Sequence, residues 1–361
     1  MEYRQLTESG IKVSCVSFGG MRLPEITEEQ AYKVINKALD LGINYFETAY
    51  HYGDSEVKIG KSLGKRRKDI ILSTKSAYND PITGDELKRN VEQQLKRLQT
   101  DYLDFYQMWG TDGMDVFVKM IGPGYKYEAV KDLMRQGIIK HVGITSHGKP
   151  KDVEIMIESG LFESVTIYYN AMKQEYTSVA ALAQKLKMGV VAMGPLNGGF
   201  LGEETKEMSF LKRGKAKTNA EGALRFIIGN KNITTAIVGF KTEQEVIDGV
   251  FAGDFYEDIA DTNDMAVITE TFKGMASKMP KSICSGCNYC NPCKEGIDIP
   301  GVFKLMNNAK VYGTIDFAKT KYKKAGQKGA LCSKCGLCME KCPQKLNIIA
   351  DMAEAHELLK S

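Results

Sequence analysis

The chain has 361 residues, a net charge of +4, and 26% charged against 43% hydrophobic side chains. That length allows one large domain plus a small one, and that balance belongs to a globular protein, not a disordered one. The small net charge gives no case for a nucleic-acid partner, no apolar run reaches the roughly 18 residues of a membrane span, and Met1-Glu2-Tyr3-Arg4-Gln5 has no apolar segment of a secretory leader, so a cytoplasmic protein is expected.

The first dozen residues read as a small hairpin. From there to about residue 255, short apolar runs alternate with longer amphipathic segments. Strand candidates begin near Val13, Ile43, Ile70, Leu103, Ile139, Val165, Gly189 and Thr235. Cys15, inside the apolar stretch Val13 to Phe18, reads as a small core residue. After the first strand, Thr27-Glu28-Glu29-Gln30 is a capping box. Ala31, Val34, Ile35, Ala38 and Leu39 then recur at helical spacing, and Gly42 is a stop signal. Thr83-Gly84-Asp85-Glu86 opens a second helix, with Leu87, Val91, Leu95 and Leu98 on one face.

Eight βα units in about 250 residues fit a closed (β/α)8 TIM barrel, placed here over residues 1–258. An open doubly wound sheet is the alternative, but Gly19-Gly20-Met21-Arg22-Leu23-Pro24 is no G-x-G-x-x-G. Residues 259–280 are mixed and polar and read as a linker or crossover. Residues 281–361 differ in composition: 13 Lys, 7 Asp or Glu, and eight of the nine cysteines.

Those cysteines fall into two groups, Cys284-x-x-Cys287-x-x-Cys290-x-x-Cys293 and Cys332-x-x-Cys335-x-x-Cys338-x-x-x-Cys342-Pro343. Spacings of two let three thiolates wrap one cluster while a more distant fourth completes it. The second group is the ferredoxin run whose fourth cysteine ligates the other cluster. The expected sets are therefore Cys284, Cys287, Cys290 with Cys342, and Cys332, Cys335, Cys338 with Cys293, each holding one [4Fe–4S] cluster. Two zinc ions are the alternative for eight thiolates; disulfides do not suit a reducing compartment. The 38 residues between Cys293 and Cys332 carry helical patterns at Ile299 to Lys310 and Ile315 to Lys323, so a mainly α-helical ferredoxin-like domain is expected over 281–361. The lysine run Lys319 to Lys324 reads as a solvated face, or as a docking patch for an acidic carrier.

Active sites of such barrels lie at the C-terminal ends of the strands. Glu47 to Tyr52 ends the second strand, Lys75 the third and Trp109 the fourth. A lysine beside a tyrosine favours phenolate, which predicts a lowered phenol pKa for Tyr52 and a general acid usable near neutrality. An acid beside Lys75 holds the lysine in place.

At these residues the chain resembles the aldo/keto reductases, whose signature D-T-A-x-x-Y-G-x-S-E reads here Glu47-Thr48-Ala49-Tyr50-His51-Tyr52-Gly53-Asp54-Ser55-Glu56. Asp101 to Tyr106, His141 to Ile144, and Pro195-Leu196-Asn197-Gly198-Gly199 also match family patterns. One branch of the family carries a C-terminal two-cluster module, and Cys284 to Pro300 is similar to it, with Lys294 in place of a usual proline. The resemblance implies an oxidoreductase acting on a carbonyl-type small molecule with NADPH, Tyr52 as catalytic tyrosine and Lys75 as its lysine. It also implies departures. Glu47 replaces the family's aspartate, and Trp109 its histidine; an indole donates one N–H and accepts no proton. The nicotinamide positions fall on Thr145, Ser146 and Thr166, and the usual aromatic stacking position on Met193, beside Pro195 and Leu196. An adenine-side pair falls on Asp248-Gly249, and Lys241 keeps a basic group for a phosphate. His51 and His147 read as loop residues, or as stand-ins for the missing proton relay.

A nicotinamide gives two electrons as hydride, whereas a [4Fe–4S] cluster passes one at a time, and no flavin fingerprint bridges them in this sequence. Three readings follow: an NADPH-dependent carbonyl reductase; a cluster-driven one-electron reductase fed by a ferredoxin- or flavodoxin-like carrier without NADPH; or a non-catalytic redox-sensing ligand binder.

Overall fold

The computed structural model of the chain describes residues 1–76, 83–254, 263–277, 290–342 and 345–360. At its N-terminus β1 (Tyr3–Gln5) pairs antiparallel with β2 (Lys12–Ser14). Val13 belongs to this hairpin, and the first barrel strand, β3 (Val16–Gly19), starts after it. The apolar run is continuous through both, so periodicity alone could not place the break. Cys15, fully buried at the junction, donates its N–H to Glu2 O at 2.9 Å.

Seven more strands follow: β4 (Tyr45–Glu47), β5 (Ile71–Lys75), β6 (Leu103–Met108), β7 (Ile139–Ser146), β8 (Ser164–Tyr168), β9 (Gly189–Met193) and β10 (Thr235–Val238). β10 pairs with both β9 and β3, all pairs are parallel, and the sheet closes into a barrel. That closure excludes the open sheet. Around it run α1 (Glu28–Asp40), α2 (Ser55–Leu63), α3 (Gly84–Leu98), α4 (Met114–Ile121), α5 (Lys126–Arg135), α6 (Pro150–Glu158), α7 (Thr177–Lys185), α8 (Asn219–Gly229) and α9 (Glu243–Asp254). Two helices, not one, follow β6.

Local chemistry explains the helices. Thr27 and Gln30 form the full capping box of α1, whose five spaced apolar residues are all buried, and Gly42 takes the left-handed φ of +88° just past its end. Thr83 and Glu86 form the box of α3. Its buried face is Leu87, Val91 and Leu98 with Gln94, while Leu95 is only half-buried. An amide thus sits where the apolar stripe predicts a leucine.

Side chains alternate along each strand, so residues two apart share a face. Gly143 on β7 faces the barrel interior: a Cβ there would lie 2.3 Å from Ser164 Oγ and 2.4 Å from Gln107 Oε1. Thr145, two residues on, faces the same way at the C-terminal end.

The chain forms two compact units, Met1–Gly198 with Arg213–Met265, and Gly199–Lys212 with Ala266–Ser361. The second is mainly helical. Residues 259–280, read as a linker or crossover, contain α10 (Asp264–Ser277). Next come α11 (Ile299–Tyr312) and α12 (Ile315–Lys324), at the predicted helical patterns, then α13 (Leu337–Glu340) and α14 (Ile348–Leu359). Asp298 and Asn347 cap α11 and α14 through their side chains. Phe303, Met306, Tyr322, Met352 and Leu359 are among the side chains of its small core, and Cys342 is buried in it. Phe200, from the separate segment Gly199–Lys212, packs edge-on to Tyr312 at 5.4 Å. Among the described residues no helix is long and apolar enough to cross a membrane.

Candidate active site

Glu47, Lys75, Ser146 and Met193 are the last residues of β4, β5, β7 and β9, and Trp109 directly follows β6. A parallel barrel therefore delivers all five to one end. The register sets Glu47 opposite Ser73, and Lys75 opposite Gln107.

Lys75 is 1% exposed and Glu47 5%. The Lys75 ammonium forms an ion pair with the Glu47 carboxylate. It also donates to Thr48 O at 3.0 Å and to the Tyr52 hydroxyl at 3.2 Å. The Trp109 ring meets the Tyr52 ring edge-on, centroids 6.0 Å apart, and Lys75 Nζ lies 5.7 Å from the Trp109 centroid. The indole replacing the expected histidine is thus a wall of the site and a cation–π neighbour of the lysine.

Burial pushes the Tyr52 phenol up to about 12. This corrects the lowered pKa expected from a neighbouring lysine. An ammonium 3.2 Å from a phenolate oxygen would favour that phenolate by roughly 5 kcal/mol at an effective dielectric constant of about 20. The Glu47 carboxylate in contact with the same ammonium opposes that field. Desolvation is not opposed in this way, so it decides the sign. Burial likewise holds the Lys75 ammonium below the usual lysine range.

Behind Lys75 lies a network that the sequence did not announce. Glu56, 1% exposed, accepts from Thr74 Oγ1 and Gln94 Nε2, both at 2.8 Å, and from Arg97 at 3.2 Å. Gln94 Nε2 also donates to Lys75 O at 3.0 Å, fixing the backbone of the lysine. Two signals were available: Glu56 closes the signature that begins at Glu47, and a glutamine breaks the apolar face of α3.

The remaining predicted residues divide. His51 is exposed and packs edge-on to Tyr50 at 5.2 Å. His147 is exposed too, its ring 6.3 Å from that of Tyr168. Thr145 is fully buried, and among the described residues its Oγ1 finds no hydrogen-bond partner. An orphaned hydroxyl at the barrel mouth suits an amide-bearing ligand. Thr166 is buried opposite Thr145 in the register. Ser146, by contrast, is committed: its hydroxyl donates to Thr111 O at 2.6 Å and accepts from Gly148 N at 3.0 Å. Met193 is half-buried, Pro195 buried and Leu196 half-buried. Lys241 Nζ lies 3.8 Å from Glu25, which also pairs with Arg22 at 2.9 Å. Asp248 accepts from Gln244 at 2.8 Å, and Gly249 is packed against Phe240.

In the second unit Cys293, Cys332, Cys335 and Cys338, one complete predicted ligand set, line a single cavity of about 240 Å³ together with Cys290. No disulfide joins any of the seven described cysteines. Four convergent thiols around one cavity fit a thiolate-held cluster. Of the other set, Cys284 and Cys287 lie outside the described residues.

Comparison with known proteins follows this division. The aldo/keto reductase family model matches residues 16–270, and a 4Fe-4S dicluster domain model matches residues 283–347. The uncharacterized oxidoreductase YqkF of Bacillus subtilis (strain 168) is 27% identical over 309 residues, covering 78% of this chain and 98% of its own. L-Galactose dehydrogenase of Arabidopsis thaliana is 27% identical over 287 residues, 70% of this chain and 88% of its own. The solved holo form of an aldo-keto reductase from Bacillus halodurans superposes with a TM-score of 0.61 at 27% identity, covering 76% of this chain and 96% of that one.

Proposed function

The chain belongs to the aldo/keto reductase family and is an oxidoreductase with an appended 4Fe-4S domain; from that premise we propose that its barrel reduces a carbonyl-type small molecule, with Tyr52 as the general acid. The observation that carries this reading is the buried Lys75 ammonium, shared between the Glu47 carboxylate and the Tyr52 hydroxyl. Tyr52 gives its proton to the substrate oxygen as the carbon–oxygen double bond becomes a single bond, and water returns that proton afterwards. Lys75 orients the hydroxyl, Glu47 and Thr48 O hold Lys75, and Trp109 keeps water from one side. NADPH, when bound, supplies the hydride that the carbon takes up. Thr145, Ser146, Thr166, Met193, Pro195, Leu196 and Lys241 are the positions assigned to its binding, and the unpaired hydroxyl of Thr145 supports that assignment.

The 4Fe-4S domain in this reading holds two [4Fe–4S] clusters and exchanges electrons with a small ferredoxin- or flavodoxin-like carrier, in a cytoplasm with little oxygen. Replacing Cys332, Cys335 and Cys338 together by alanine is then expected to remove about half of the iron bound per chain in anaerobic preparations, since each cluster loses its ligands independently.

A second reading, a cluster-fed one-electron reductase without NADPH, is favoured by two contacts. The Ser146 hydroxyl is already spent on Thr111 O, and Lys241 faces Glu25. The test is anaerobic turnover of benzaldehyde with NADPH, and separately with electrochemically reduced methyl viologen. Aldehyde-dependent NADPH oxidation is the expected result. Turnover with the viologen alone favours the second reading, and binding without turnover favours a ligand-binding protein.

The pH dependence carries a sign. With Tyr52 near 12, the proton donor is fully present through neutrality, so reduction shows no alkaline loss from this group below about pH 11. Oxidation of the corresponding alcohol needs the deprotonated form and should gain about tenfold per pH unit through the same range. A reduction rate that falls by half between pH 7 and 9 would contradict the raised phenol.

A further inference from the structure

The loop that carries Cys335 departs from the rest of the helical unit. Its cysteine is exposed, unlike Cys342, which is buried in the core. Lys334 and Gly336 on either side take left-handed φ values of +56° and +81°, which turn the loop outward. Leu331 and Leu337 flank it with 55% and 49% of their surface exposed. Both are large apolar side chains left in solvent. Lys294, Lys334 and Lys341 line the same cavity as the four thiols, and all three are exposed. Among the described residues Lys334 and Lys341 enter no ion pair, and Lys294 has only its neighbour Glu295 at 3.9 Å. Glu295 is the carboxylate facing them from the cavity lining. Residues 281–361 hold 13 Lys against 7 Asp or Glu, more than the whole chain's excess of +4.

We propose that the Leu331/Leu337 surface with its lysine rim, Lys294, Lys334 and Lys341, is the docking face for a small acidic ferredoxin. This deepens the carrier partner named above and rests on that reading. Three physical arguments converge. Electron transfer needs short distance, and an exposed ligand thiol brings the metal site to the surface here. Transient redox complexes bury little area, so a small apolar centre suffices for contact. Charges around that centre steer encounter and fix orientation, and a lysine rim selects a carboxylate-ringed partner. In each encounter one electron moves: the carrier is oxidised by one, the site held by Cys293, Cys332, Cys335 and Cys338 is reduced by one, and no bond or proton moves. The other lysine face, Lys319, Lys323 and Lys324 on α12, lines no part of the thiol cavity.

The experiment uses the full chain with its iron intact and an acidic 2[4Fe–4S] ferredoxin as probe. Affinity is measured by calorimetry at low and high salt, and contacts are mapped by carbodiimide cross-linking and mass spectrometry. The expected result is binding that weakens with salt, cross-links at Lys294, Lys334 or Lys341, and a loss of affinity of about tenfold or more in Lys294→Glu/Lys334→Glu/Lys341→Glu. Iron content and visible absorbance should stay unchanged in that variant, and Lys319→Glu/Lys323→Glu/Lys324→Glu should bind as the parent does. Unchanged affinity in the rim variant, or cross-links confined to α12, overturns the assignment. Loss of iron from the rim variant also overturns it, since the lysines would then balance the charge of the metal site. Failure of the underlying carrier reading looks different: the ferredoxin binds with the expected cross-links, but its reduced form passes no electron to the parent protein's iron, whereas absence of binding overturns the docking face itself.

Discussion

Tyr52→Phe is expected to lower kcat for carbonyl reduction by 10²- to 10⁴-fold, the usual range for removing a positioned general acid, with little change in KM. The substitution removes one oxygen. The ring keeps its edge-on contact with Trp109 and its place near Lys75 Nζ, 4.6 Å from the centroid. The hydrogen bond lost is the 3.2 Å contact with Lys75, whose ammonium retains Glu47 and Thr48 O as partners. Stability should therefore change by no more than about 1 kcal/mol, the size of one ordinary hydrogen bond. This separation makes the test sharp: a large kinetic loss beside an unmoved unfolding transition is the signature of a proton donor. Equal turnover in the variant would sink the assignment, and a comparable loss of stability would recast Tyr52 as a packing residue. The pH profile adds an independent check, because the rising limb of alcohol oxidation should vanish along with the hydroxyl.

The contrast between what the sequence announces and what it hides follows the range of the forces involved. Thr27 with Gln30, and Thr83 with Glu86, are three residues apart and form their capping boxes wherever the chain goes. Strand runs and cysteine spacings are equally local. The barrel and a 4Fe-4S domain are therefore legible from the residues in order. The electrostatics of the site are not. The lysine–tyrosine pair alone predicts a lowered phenol, but Glu47 is close enough to oppose the field of the ammonium, and only the fold fixes that closeness. Ser146 finds Thr111, and Lys241 finds Glu25, across 35 and more residues of chain. Gln94 reaches from α3 to the carbonyl of Lys75. Val13 shows the opposite limit: an apolar run can continue through a hairpin strand into a barrel strand, and hydropathy does not mark the seam.

The buried pair predicts the largest stability effect. Lys75→Met removes an ammonium whose side chain is 2% exposed and leaves Glu47, at 6%, with its charge uncompensated. Breaking one side of such a pair costs about 3–5 kcal/mol, which for a domain of this size lowers the barrel's melting transition by roughly 10 °C. The thioether roughly matches the lysine stem in length, so a packing void contributes little. Glu47→Leu/Lys75→Met should then recover most of the loss, because two apolar groups replace two charges and no carboxylate is stranded. Activity should not recover with it. The Tyr52 hydroxyl loses its Lys75 donor in both variants, so both should remain at or below the Tyr52→Phe level. Differential scanning calorimetry and aldehyde turnover on the same preparations decide the matter. If Lys75→Met melts with the parent, the pair is not the buried ion pair described here. If the double variant regains turnover with stability, Lys75 serves the fold and not the proton.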